Sequence, residues 1–217
     1  IRNETEKTVK FEVEKGLSGV ITVGKLDSKL STTQAINNFE TVEDLMDALY
    51  FEGISADVEF RFTDPEYVLT TNNPVDAAWD MSARIIGVGP TSDPNDEDGV
   101  YTIRMRPANN RIAVRGGVKF KMNAESGIGL LLGHSLNPAN RNAVVNNFPE
   151  REYARSAGYI TFDGGSQKSF EFELSTTNNL FGAAVYLQRG SENITIKNCI
   201  MTNNAPQIKN NSFVPAA

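Results

Sequence analysis

Residues 183–204 read AAVYLQRGSENITIKNCIMTNN. Two apolar alternations, Val185/Leu187 and Ile194/Ile196, flank the polar turn Arg189-Gly190-Ser191-Glu192-Asn193, and Asn198 follows the second. Side chains two apart share one face of a strand, so each alternation predicts a short strand with those four residues pointing inward. Asn198 falls where the backbone must bend. Asparagine tolerates left-handed angles and bonds to neighbouring main chain, which suits the corner of a coil stacked on other coils. The stretch predicts one coil of a parallel β-helix, and a solenoid argues a scaffold or an extended binding surface before it argues chemistry.

Working outward, Tyr159-Ile160-Thr161-Phe162-Asp163-Gly164-Gly165 followed by Phe170-Glu171-Phe172-Glu173-Leu174 reads as a related coil, with Ile160 standing 34 residues before Ile194. That exceeds the ~20–30 residues of short regular coils and implies an extra strand or loop per coil. Tyr101–Arg106, Arg111–Arg115 and Val118–Met122 read as further short strands bounded by turns. Val58, Phe60 and Phe62 begin the sheet proper, and Trp79–Ile86 returns as strand. Nearer the start, Thr41 fits a helix N-cap with Asp44 three residues on, and Val42, Leu45, Met46 and Leu49 share one helical face. Such a helix would close the first coil, whose apolar cross-section would otherwise meet water. Gly19–Gly24 is a compact strand between glycines, and Val9, Phe11 and Val13 alternate as an edge strand or ordered leader.

The order TIRMRPANN (102–110), YITFDGG (159–165), FEFELSTTN (170–178) and AAVYLQRGSENITIKNCIM (183–201) resembles the right-handed, pectin-lyase-like β-helix proteins secreted by the Bacteroidetes–Chlorobi group, many exported by the type IX secretion system. Phe39–Leu49 is similar to the helix that precedes the first strand in those proteins, and Gly53–Phe60 to that strand. The likeness spans roughly residues 36–204. It implies an extracellular or cell-surface protein. Its motifs are patterns of apolar, Gly and Asn positions, which specify architecture and hardly any activity.

The 217 residues are 40% hydrophobic and 22% charged, ordinary for a soluble globular chain. No apolar run approaches the ~18 residues of a membrane span. Residues 1–35 form an expected N-terminal leader and edge-strand region, and residues 36–217 the helix-capped first part of a β-helix that continues into a longer protein. The start at Ile1, with no basic-then-apolar leader, is consistent with a removed signal peptide or with a piece of a longer chain. Cys199 is the single cysteine and reads as a small inward hydrophobe. Charge is uneven: residues 1–108 hold 20 acidic and 10 basic residues, net −10, against 7 and 11, net +4, in residues 109–217. Asparagines follow the same division, 6 then 16, and their pairs fall beside strand ends, marking corners.

Each chemical motif has a plainer reading. Gly19–Lys25 matches a phosphate-binding loop until Leu26 replaces the Ser or Thr that would hold magnesium, and Val20–Val23 wants to be a strand. His134 is the sole histidine, which rules out a metal site built on paired histidines. Gly133-His134-Ser135 resembles the Gly-His-Gly of polygalacturonases, but their Asn-Thr-Asp, Gly-Asp-Asp and Arg-Ile-Lys motifs are missing. Asp93, Asn95, Asp96 and Asp98 could bind calcium, although Gly99 comes one place late for an EF-hand and a solvated turn is the favoured reading. Glu171 and Glu173 alternate with Phe170 and Phe172 and so share an outer face, a spacing open to glycoside hydrolysis but better read as solvated. Arg104, Arg106, Arg111, Arg115, Lys119 and Lys121 are placed by their alternation on one outward side. Without interleaved aromatics, and with a net charge of −6, nucleic acid is not the expected partner.

The expectation is an all-β, right-handed parallel β-helix with an N-terminal capping helix, a β-sandwich being the alternative. Its expected role is a non-enzymatic structural or adhesive component of a cell surface or filament, with no catalytic residue and no cofactor beyond calcium. Partners would be other copies, cell-surface proteins or glycans. The alternative is a polysaccharide lyase or glycoside hydrolase whose active groove lies in later coils.

Overall fold

A computed structural model describes residues 16–25, 37–51, 53–72, 74, 76–82, 101–133, 158–178, 181–187, 191 and 193–204. The alternation at Val9–Val13, the 83–86 end of the expected Trp79–Ile86 strand, the acidic loop and His134 lie outside them. The regular elements of the described chain are nearly all strands: β1 (Leu17–Val23), β2 (Asn38–Phe39), β3 (Ile54–Phe62), β4 (Glu66–Thr71), β5 (Trp79–Ser82), β6 (Ile103–Pro107), β7 (Val118–Ala124), β8 (Ile128–Gly133), β9 (Ile160–Asp163), β10 (Phe170–Ser175), β11 (Ala183–Leu187), β12 (Thr195–Lys197) and β13 (Cys199–Asn203), with one helix, α1 (Val42–Phe51). This is the expected all-β class.

Three sheets result. Their strand orders are β12-β9-β6-β3-β1-β2, β13-β10-β7-β4 and β11-β8-β5. Every pairing among the described strands is parallel, so none of the antiparallel ladders of a β-sandwich occurs among them. From β3 onward the chain visits the first, second and third sheets in turn, then repeats one strand further along each: β3-β4-β5, β6-β7-β8, β9-β10-β11, then β12-β13. We call each round a rung. Thr161 pairs with Thr195 in parallel, which puts the coils read at Ile160 and Ile194 in one register.

The register stacks apolar residues into interior columns: Phe60, Met105, Phe162 and Ile196 in the first sheet, and Tyr67, Phe120, Phe172 and Met201 in the second. Phe62, Tyr67, Trp79, Phe120, Phe162, Phe170 and Phe172 fill the space between sheets, with Phe120 at 4.9 Å from Trp79 and 5.2 Å from Phe172, ring centre to ring centre. Fully burying one such side chain contributes about 1.5–3 kcal/mol, and an aromatic pair adds roughly 0.5–1.5 kcal/mol.

Helix α1 begins as its sequence predicts. The Thr41 N–H and hydroxyl donate to Asp44 Oδ2 at 3.1 and 2.8 Å, and the Asp44 N–H donates back to Thr41 Oγ at 3.0 Å. Val42, Leu45 and Leu49 then join the same core as Phe60 and Trp79. The Trp79 indole N–H donates to Met46 Sδ at 3.2 Å. No helix among the described residues is long and apolar enough to cross a membrane.

Two expectations are corrected, and a third holds in direction only. The sheet does not begin at Val58: Thr22 of β1 pairs with both Asn38 and Arg61, so residues on either side of position 35 share one sheet. Arg111–Arg115 is a turn and not a strand, because the amides of Arg111 and Ile112 bond to Ala108 O and that of Val114 to Arg111 O, leaving none of the three for a ladder. Leu187 stands at an inward register opposite Leu132 but is 54% exposed, since no described strand covers β11 on its far side.

Candidate functional site

The corners between the first and second sheets differ in length. Residues 63–65, 108–117 and 164–169 serve the first three rungs, and Asn198 alone serves the fourth. Asn198 is left-handed, with φ of 54°, as its position between two strands demands. A one-residue corner brings rungs into close approach: a Cβ on Gly164 would run into the carbonyl oxygen of Asn198. In the first rung the buried Tyr67 hydroxyl donates to Val23 O and accepts the N–H groups of Thr63 and Asp64 at 3.1 and 3.0 Å. Burial pushes that phenol up to about 12.

Outward side chains of the first sheet form two rows. Glu59, Arg104, Thr161 and Thr195 share one register, and Arg61, Asp163 and Lys197 stand one alternation along, with Arg106 opposite Arg61. Glu59 gathers three guanidiniums: Arg61 Nε at 2.6 Å, Arg106 at 3.6 Å and Arg104 at 3.7 Å. Asp163 takes Arg104 Nη2 at 3.0 Å and Lys197 Nζ at 3.4 Å on Oδ2, while its Oδ1 accepts the Gly165 N–H at 3.0 Å and Asn198 Nδ2 at 3.3 Å. Burial works to raise the Asp163 carboxyl, but the Gly165 N–H, Arg104, Asn198 and Lys197 hold it at about 2. The carboxylates lie beneath, with side chains 17% and 10% exposed for Glu59 and Asp163, and the cations reach out, to 42% for Arg104 and 51% for Lys197.

The second sheet carries a similar ladder of opposite balance. Lys119 Nζ reaches Glu173 at 3.0 Å and Glu171 at 3.3 Å, which raise its pKa, and Lys121 meets Glu66 at 2.8 Å. The six cations expected on one side are therefore divided: Arg104 and Arg106 on the first sheet, Lys119 and Lys121 on the second, Arg111 and Arg115 in the corner between. Alternation fixes a residue's face within its strand and says nothing of which sheet the strand joins.

Chemically, Asp163 is an ionised acceptor and a poor proton donor. The Cys199 thiol donates to Lys197 O at 3.1 Å, and burial pushes it up to about 11, so it stays a thiol at neutral pH. Glu171 and Glu173 do lie on an outer face, but both bind Lys119. Val20–Val23 are in β1, where their amides serve a ladder as expected; Leu26 lies outside the described residues. The calcium candidates Asp93, Asn95, Asp96 and Asp98 also lie outside them. Among the described residues no group of three His, Cys, Asp or Glu is placed to hold a metal. The Glu59 and Asp163 clusters escaped the sequence reading; the Asp-Gly-Gly at the end of β9 was the visible trace of the second, but its partner Arg104 lies 59 residues earlier.

Comparison with known proteins identified no relative: no family model, no curated protein and no solved structure matches the chain.

Proposed function

We propose that the chain is part of an extracellular right-handed parallel β-helix acting as a structural or adhesive scaffold, of the kind that its sequence resembles among type IX secretion cargo. Three parallel sheets visited in rotation support the β-helix. Right-handed winding is the expectation for parallel crossovers within one sheet, about 98% of which take that hand. The observation that carries the scaffold reading is the use made of the outward charges. Glu59, Asp163, Glu171 and Glu173 are each bound across neighbouring strands to Arg or Lys, so carboxyl groups that could serve catalysis instead tie rung to rung.

The test is incubation of the protein with acidic and neutral polysaccharides, followed by measurement of new reducing or unsaturated ends. No release above the buffer control is expected. Release that disappears in Asp163→Asn would overturn the reading in favour of a lyase or hydrolase. An experimental structure with left-handed winding would overturn the fold assignment.

A further inference from the structure

We propose that the outward face of the first sheet is a docking surface for the acidic helix end of a second copy of this chain, an inference that rests on the scaffold reading and names its partner. Four cations, Arg61, Arg104, Arg106 and Lys197, stand over two carboxylates, Glu59 and Asp163. Asp57, exposed one outward position before Glu59 on β3, accepts the Thr102 N–H and hydroxyl and brings the excess on the face to one positive charge, with the cations gathered around Glu59 and Asp163. Glu59 and Asp163 hold the guanidiniums from below, so little freedom remains to be lost when a partner arrives. Each guanidinium has five N–H donors, and the ion pairs with the carboxylates leave several of them on Arg61 and Arg104 open to solvent. Thr161 and Thr195 continue the row with hydroxyls.

The complementary surface is on the chain itself. Glu40, Glu43, Asp44 and Asp47 are all exposed at and within helix α1. Asp44 is used by the cap at Thr41, whereas no described cation lies within ion-pair reach of Glu40, Glu43 or Asp47. Glu43 and Asp47 are four residues apart on one helical face, a like-charge spacing that costs a few tenths of a kcal/mol in an isolated helix. The dipole favours Glu43 and Asp44 in the first turn but does nothing for Asp47. Cations from outside would relieve this repulsion. Helix α1 packs on β1 and β2, at the end of the sheet away from β6, β9 and β12, so the two surfaces occupy different parts of one molecule. A contact between them joins unlike patches and leads to a ring or an open series.

Sedimentation of the whole chain at low and high salt tests this, because exposed charge pairs are screened within roughly 10 Å at 0.1 M salt. Association at low salt, weakened about tenfold or more at high salt, is expected. Arg61→Glu with Lys197→Glu should each time yield monomer, as should Glu43→Lys with Asp47→Lys, while a mixture of the two double variants should associate again. Far-UV circular dichroism checks that the variants are folded, and the salt response of the unaltered protein stands even where one is not. A chain that is monomeric at low salt, variants that associate like the parent, or a mixture that stays monomeric would each overturn the proposal. So would retention on heparin without self-association, which would assign the face to an anionic glycan. These outcomes leave the polysaccharide assay untouched, so the docking surface and the scaffold reading fail separately.

Discussion

The two ends of the stack treat the same kind of residue differently. At the start, Val42, Leu45 and Leu49 of α1 lie in the core beside Phe60 and Trp79. At the last described strands of the second and third sheets, residues at inward registers are half in water: Met201 of β13 is 52% exposed although its paired neighbour Phe172 is 0%, and Leu187 of β11 is 54% exposed against 0% for Leu132. Inward direction is fixed by the strand period, but burial needs a neighbour on both sides. A rung is half a core until the next one, or a helix, lies on it.

The largest test of that contrast sets the middle against the edge. Phe120 touches Phe62, Tyr67, Trp79, Phe170 and Phe172. Phe120→Ala should cost about 3–5 kcal/mol in urea unfolding. Met201→Ala, in the same interior column, should cost only about 1 kcal/mol, because most of what it loses already faces water. Equal losses would mean that the last rung is covered in solution, and the comparison would break.

What was legible in the sequence follows the same division between strand and stack. Local rules act within a few residues, and they found the alternations of β6, β7 and β10, the Thr41 cap and the Asn198 corner. They misread Arg111–Arg115, where Ile112 and Val114 alternate but the amides turn back on Ala108 and Arg111. They also gave one side to cations that the corner divides between two sheets. Pairing across rungs is set by loops of very different length: Arg104 and Asp163 meet over 59 residues, Lys119 and Glu173 over 54. No periodicity records such a distance, so the charge ladders were invisible until the register was known.

A middle-sized effect probes how rungs are tied at the corner. The Asp163 carboxyl sits at about 2 when folded against an ordinary 3.8, so its stabilisation is full above 3.8 and is lost as pH falls from there toward 2. At 1.36 kcal/mol per unit, the loss is on the order of 2 kcal/mol. Asp163→Asn should remove that part of the acid dependence and lower stability at neutral pH by a similar amount, read from urea midpoints at a series of pH values. An unchanged acid limb would show that the cluster binding β6, β9 and β12 does not hold rungs together.

Tyr67 is the counterpart in the first rung. Tyr67→Phe takes the acceptor from the Asp64 amide, for roughly 1–3 kcal/mol, while Val23 O keeps the Thr63 amide and hydroxyl at 2.9 and 3.0 Å. Its folded pKa is raised from 10.0 to about 12, so the contribution is complete below pH 10 and is lost as pH rises toward 12. The alkaline limb of the stability profile should flatten in the variant. An alkaline limb unchanged from the parent would remove Tyr67 as its cause.

The smallest effect asks whether α1 covers the first end or merely accompanies it. Thr41→Ala removes the hydroxyl that accepts the Asp44 N–H and frees the Asp44 carboxylate from its hydroxyl donor. A lost N-cap costs about 0.5–2 kcal/mol, and here the cost falls on one turn of helix. If that turn frays, Val42 and Leu45 leave the core and the first end comes to look like the last, with interior columns facing water. Hydrogen exchange should therefore quicken in α1 and also in β1 and β2 beneath it, while β10 and β13 keep the rates of the parent protein. Faster exchange confined to α1 would mean that the first strands are secure without their helix, and the difference between the two ends would then lie in the strands themselves.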